Sequence, residues 1–127
     1  MTDSATPELK FTFPKSERLH SKKLIEELFT EGSYFYLYPF RISFLPKKDE
    51  ISSSQVLFSV SKKKFKSAVK RNRIKRLMKE AYRLNKHQMV NSHYLIGFVY
   101  TSDEMPEFKF INKRIEKALK KLSEMSI

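Results

Sequence analysis

The chain has 127 residues, room for one domain and one core, and with 40% apolar residues, 11 Phe and 6 Tyr it can bury that core without disulfides or a metal. It has no cysteine, which excludes disulfide frameworks, thiolate zinc sites and cysteine nucleophiles together and fits a reducing compartment, the cytoplasm by default. No apolar stretch is long enough to cross a membrane, and the polar amino terminus with Asp3 and Glu8 reads unlike an export signal, whereas the formal net charge of +12 points to a polyanionic partner.

Residues 1–10 lack hydrophobic periodicity and read as a flexible lead-in to a single domain spanning residues 11–127. From Ser21 the pattern turns helical. A serine suited to capping free N–H groups precedes Leu24, Ile25, Leu28 and Phe29 at the spacing of one buried face, and Gly32 stops the run, which predicts a helix over residues 21–31. Residues 34–38 (YFYLY) and 40–45 (FRISFL) are aromatic and β-branched, with Pro39 between them and a loop over residues 46–54 after them. Phe40, Ile42 and Phe44 alternate with Arg41 and Ser43 as in a half-buried strand, and Pro39 separates two strands or marks a sheet edge. Residues 55–61 (QVLFSVS) form a further strand that runs into a cationic loop.

A long helix follows over residues 67–86. Ile74, Leu77, Met78, Ala81 and Leu84 make one apolar stripe, while Asn72, Arg76, Lys79 and Arg83, with Lys75 beside them, line the opposite face. Tyr94–Tyr100 is apolar enough to be a strand covered on both faces, and a last helix spans residues 107–124 with Phe108, Ile111, Ile115, Ala118 and Leu122 on one side. The order αβββαβα predicts a single-domain α+β fold, a two-layer sandwich of helices on a mixed β-sheet.

The charge is not spread evenly. Residues 51–79 contain no acid and ten cations, Lys62, Lys63, Lys64, Lys66, Lys70, Arg71, Arg73, Lys75, Arg76 and Lys79, so the rest of the chain holds 16 basic against 14 acidic residues. A solvated helix face ordinarily mixes both signs; a single-signed stripe suits a polyanion, whose binding grows with each phosphate neutralised. Engaging five or six phosphates would give a log–log salt slope of about −4 to −5. Lysines of the loop act as mobile point charges, whereas Arg71, Arg73 and Arg76 offer planar forks to phosphates or base edges. Asn72, between two arginines, either contacts structured RNA or caps the helix locally.

The string Phe58-Ser59-Val60-Ser61-Lys62-Lys63 followed by Ala68-Val69-Lys70-Arg71-Asn72-Arg73-Ile74-Lys75-Arg76-Leu77 resembles the signature of the bacterial ribonuclease P protein family. Phe13-Pro14-Lys15, with Arg18-Leu19, is similar to that family's entry motif, and the resemblance covers residues 11–122. It implies the αβββαβα fold and a division of labour. A large RNA subunit hydrolyses the phosphodiester at the 5′ end of precursor tRNA with Mg2+, no cofactor being bound by the protein, and the protein supports that RNA and grips the 5′ leader. The implied RNA-binding residues are Lys62, Lys63, Arg71, Asn72, Arg73, Lys75, Arg76 and Lys79, and the implied candidates for the leader cleft are Phe29 and Arg18. Phe29 also fits the buried stripe of its helix, so core packing and base stacking remain open for it. The loop lacks the glycine that many relatives carry after SKK, and Ile25 stands where some have a second aromatic.

Other functions have weaker support in the residues. A protein-only nuclease needs convergent carboxylates or histidines, but Glu26, Glu27, Asp49, Glu50, Asp103 and Glu104 are scattered, and His20, His87 and His93 lack metal-ligand spacing. A ribosomal or assembly protein binding rRNA could use a similar scaffold. DNA is not the expected partner, because nothing announces a dimer or a helix-turn-helix pair.

Overall fold

The computed structural model describes residues 12–47, 53–89 and 93–125; the whole lead-in over residues 1–10, together with Asp49 and Glu50, lies outside them. Three helices and four strands follow in the expected order: α1 (Lys22–Glu31), β1 (Ser33–Leu37), β2 (Phe40–Pro46), β3 (Gln55–Val60), α2 (Ala68–Asn85), β4 (Tyr94–Tyr100) and α3 (Phe108–Met125). Single 3-10 turns at Lys15–Glu17 and Lys86–Met89 precede α1 and follow α2.

The helix boundaries have local causes. Ser21 Oγ accepts from the Leu24 N–H at 3.3 Å and Ser67 Oγ from the Lys70 N–H at 3.3 Å, so each serine caps the first turn of α1 or α2. Gly32 ends α1, but not through a left-handed backbone, since its φ is −78°. A Cβ at that position would meet the Leu28 carbonyl oxygen and lie 2.8 Å from the carbonyl oxygen of Phe44. Glycine is required there for room where α1 runs onto β2.

The sheet order is β1-β2-β4-β3, with β3 and β4 parallel and the other neighbours antiparallel. A parallel pair needs a crossover, and α2 supplies it. Between β1 and β2 the chain turns at Tyr38 and Pro39, and the Pro39 carbonyl accepts from the Thr101 N–H at 2.8 Å, which ties the turn to the end of β4. Strand alternation sends Val56, Phe58, Val60, Ile96, Phe98, Phe40 and Ile42 to one face, where α2 and α3 cover them. Phe58 and Phe98 stack there with centroids 5.6 Å apart, and Tyr82 of α2 packs edge-on to Phe58 at 6.0 Å. Burial raises the Tyr82 hydroxyl far above its ordinary pKa, and the nearby Glu17 carboxylate adds to the shift.

Sheet, α2 and α3 form the expected sandwich, and α1 adds a partial cover on the opposite face. There Leu28 and Leu19 pack on Leu95, flanked by Leu24, Ile25, Leu45 and Leu57. This explains why β4 is buried on both sides along almost its whole length.

One expectation for α2 needs correction. Ile74, Met78 and Ala81 are fully buried as the stripe predicts, but Leu77 is only half-buried and the inward face continues through Tyr82 and Asn85 instead. The physical reason is rotation of the stripe toward α3. Asn85 Nδ2 donates to the Ala81 carbonyl and to Asn112 Oδ1 of α3, both at 2.8 Å, so a polar residue sits satisfied at the helix–helix seam.

Candidate nucleic-acid interface

Two surfaces carry the residues singled out by sequence, and they lie on different sides of the sheet. The first is the outward side of α2 with the loop that feeds it. Lys62, Lys63, Lys64 and Lys66 are exposed on this loop, and Asn72, Arg73, Arg76 and Lys79 are exposed along the helix, with Lys75 half-buried at the border. Val69, Asn72, Arg73 and Arg76, spaced to share one helix face, line a shallow hollow of about 600 Å3. Ser67 already caps the helix, so Asn72 is not the capping residue, and it is exposed beside this hollow.

Val69 was not singled out by sequence. It is 78% exposed in the midst of cations, and the signal for it was its place in the i, i+3, i+4, i+7 row with Asn72, Arg73 and Arg76. Glu80 is the first acid after the cationic run, and Arg83 holds it. Arg83 Nε donates to Glu80 Oε2 at 3.0 Å, and this hydrogen bond keeps the Glu80 carboxyl below its usual range. The helix face is therefore single-signed up to Lys79 and neutralised by a local pair beyond it.

Arg71 behaves differently from its neighbours. It is half-buried, and its Nη1 donates to the Phe65 carbonyl at 2.7 Å and to the Lys66 carbonyl at 2.9 Å. The loop is further fixed by the Phe65 N–H on the Ser61 carbonyl at 3.1 Å and by the Lys63 N–H on Ser61 Oγ at 3.2 Å. Phe65 itself is buried, with its ring 6.2 Å from that of Tyr100. The missing glycine is thus compensated by an anchoring ring and a guanidinium clamp.

The second surface is the α1 side of the sheet. Phe29 is 47% exposed, which decides against the core for most of its ring. It reaches Gly97 of β4, where a Cβ would stand 3.1 Å from the tip of the Phe29 ring, so the bare strand position lets the ring approach the sheet closely. Gly97 pairs with Ser43, and Ser43 pairs with Tyr34, which places Tyr34 on the same face two strands away. Tyr34 and Tyr36 are exposed, pack edge-on at 5.8 Å, and the Arg41 guanidinium lies 4.2 Å over the Tyr34 ring. Sequence identified this aromatic run as a strand without separating its faces; the alternation of Tyr34 and Tyr36 with Phe35 and Leu37 was the available signal.

Arg18 is not beside Phe29. It bridges to Val56 at the free edge of β3, and its Nε and Nη2 donate to the Phe13 carbonyl at 3.1 and 2.9 Å. The adjoining Glu17 pairs with Lys86 at 2.7 Å. Together these contacts fasten the entry segment to β3 and to the end of α2.

Among the described residues no three His, Asp or Glu side chains come together to hold a metal ion. Glu17, Glu27 and Glu80 are instead engaged by Lys86, Lys47 and Arg83. No helix among the described residues is long and apolar enough to cross a membrane. What the fold and its surfaces define is a small basic α+β protein with a single-signed cationic helix face, and with exposed rings on the opposite side of its sheet.

Comparison with known proteins narrows this class. The family model described as Ribonuclease P matches residues 13–123. A ribonuclease P protein component of Porphyromonas gingivalis is 42% identical over 126 residues, covering 94% of this chain and 89% of that protein. One from Chlorobium phaeobacteroides is 33% identical over 132 residues, covering 88% and 90%. The solved structure of the RNase P protein from Thermotoga maritima has the same fold, with a TM-score of 0.71 at 23% identity over 83% of this chain and 96% of that one. The chain belongs to the ribonuclease P protein family, whose role is processing of tRNA 5′ ends together with an RNA subunit.

Proposed function

We propose that α2 and the loop before it bind the RNA subunit of ribonuclease P, and that the Phe29 side of the sheet receives the unpaired 5′ leader of precursor tRNA. The observation that carries this is the single-signed outward face of Lys62, Lys63, Asn72, Arg73, Lys75, Arg76 and Lys79, held rigid by a helix whose other side is core. A row of fixed cations releases counterions from a phosphate backbone, and this dominates affinity. Phe29, with Tyr34 and Tyr36 on the same face, offers ring faces on which unpaired bases stack, worth about 1–3 kcal/mol per base. Arg18 contributes by fixing the entry segment rather than by reaching the leader, because its guanidinium is engaged by the Phe13 carbonyl.

Hydrolysis of the phosphodiester is assigned to the RNA subunit. The described residues provide no cluster of carboxylates or histidines to hold the Mg2+ expected for that reaction. The protein's part is to hold RNA and substrate together, in the cytoplasm where tRNA is made. The test is cleavage of precursor tRNA by the RNA subunit at low salt, with and without this protein. The expected result is tighter substrate binding or faster cleavage when the protein is present; unchanged rate and affinity would refute the proposal.

A further inference from the structure

Four lysines crowd the seven-residue connection between β3 and α2, and mutual repulsion favours an open, mobile loop. The structure instead shows one defined loop, and a fifth cation, Arg71, is placed against it. That placement is electrostatically costly unless the guanidinium obtains acceptors, and it has two. Its Nη1 spans the consecutive carbonyls of Phe65 and Lys66 at 2.7 and 2.9 Å. Carbonyl oxygens of the loop thus face inward onto Arg71 while Lys62, Lys63, Lys64 and Lys66 remain exposed. Arg71 also closes the first turn of α2, its N–H donating to the Ser67 carbonyl at 3.1 Å. The loop is therefore tied to the helix that carries Arg73 and Arg76.

We infer that Arg71 is a positioning residue, which presents the loop lysines to RNA in register with the α2 arginines by clamping the Phe65 and Lys66 carbonyls. This rests on the proposed RNA-binding function and adds a mechanism to it: the clamp fixes the lysines before binding, so less ordering of the loop is paid when RNA arrives. It also separates Arg71 from Arg73 and Arg76, which are exposed and line the hollow. Lysine at position 71 would keep the charge, but its ammonium ends one bond nearer the backbone than Nη1 and has no planar group to fix the direction of its N–H bonds.

The experiment pairs hydrogen exchange on the free protein with binding to in vitro transcribed ribonuclease P RNA, for Arg71→Ala, Arg71→Lys, Lys62→Ala/Lys63→Ala and their combinations. In both Arg71 variants the Phe65 and Lys63 amides should exchange faster while those of residues 74–81 stay protected. RNA affinity should fall about tenfold for Arg71→Ala, and by nearly as much for Arg71→Lys. The double lysine variant should weaken binding in the wild-type background and cost less than half as much, in logarithmic units, once Arg71 is alanine. That non-additivity is absent if Arg71 only stabilises the fold. Unchanged exchange at Phe65 and Lys63, strict additivity, or full rescue by lysine would overturn the inference. If neither the lysine nor the Arg71 variants alter RNA affinity, the RNA-binding proposal itself fails, and the exchange data still decide whether the clamp exists.

Discussion

Arg76→Ala is the sharpest probe of the cationic helix face. Arg76 is exposed in the middle of the outward side of α2, it lines the hollow with Val69, Asn72 and Arg73, and no described residue holds its guanidinium. Its removal leaves the core untouched, so the melting midpoint should stay within experimental scatter. An exposed ion pair is heavily screened, and losing one phosphate contact at low salt should cost about 1 kcal/mol, roughly fivefold in affinity. The more telling quantity is the salt slope. Each phosphate neutralised contributes about 0.9 to the log–log slope, so between about 50 and 200 mM salt the variant should lose about 3.5-fold less affinity than the wild type. The assay is filter binding or anisotropy with the RNA subunit across that range. Lys117, exposed on α3, provides the control, and Lys117→Ala should leave the slope unchanged. A wild-type slope in Arg76→Ala, or equal flattening in both variants, would refute the assignment of the α2 face to phosphate.

Gly32→Ala should destabilise the fold by about 2 kcal/mol or more, seen as a lower melting midpoint, because the new Cβ meets backbone oxygens of Leu28 and Phe44 that cannot move aside. Met78→Ala should cost about 2–5 kcal/mol in chemical denaturation and Leu77→Ala about half of that, since only Met78 is fully buried; equal costs would contradict the helix rotation described above. Gly97→Ala should change stability by less than about 1 kcal/mol, the gain from replacing a strand glycine offsetting slight crowding, yet displace the Phe29 ring. Its affinity for precursor tRNA should then fall toward that of the leaderless substrate, as for Phe29→Ala. Glu80→Gln removes the negative charge beside Arg83, so RNA affinity at neutral pH should rise and the salt slope steepen; no change would place this part of α2 outside the interface.

Much of the fold is legible because local and long-range signals agree. Ser21 and Ser67 announce their helices, the alternation in residues 40–45 orients β2, and the unbroken apolar run Tyr94–Tyr100 marks the strand covered from both sides. The exposed cationic face was equally legible, because excess charge in one stretch survives any plausible packing. What escaped are features set by tertiary contacts. Periodicity placed Leu77 on the buried stripe, whereas the position of α3 turned α2 toward Tyr82 and Asn85. The same pattern left Phe29 ambiguous, and only the bare surface of Gly97 shows why its ring lies outside on the sheet. Arg71 was indistinguishable from Arg73 and Arg76 in sequence, since nothing local reveals that two loop carbonyls await it.

The segregation of charge has a cost that the fold must offset. Ten cations without an acid across residues 51–79 repel one another in the free protein, and a helix with one such face holds its place only through its other face. Ile74, Met78, Ala81 and Tyr82 provide that hold, each large apolar side chain contributing about 1.5–3 kcal/mol on burial, while Asn85 locks the far end to α3. A polyanion on the outer face would relieve the repulsion, so under the proposed function RNA binding and folding stability are linked in the same helix. That linkage is a physical argument for the proposed division of labour, with hydrolysis in the RNA subunit. A chain that places carboxylates among these cations would neutralise the surface that attracts the backbone, and one that omits them gives up the usual means of holding metal. A strong grip on phosphate and a carboxylate-bound catalytic metal compete for the same surface, and under the proposed function the outward side of α2 and the loop before it serve the grip.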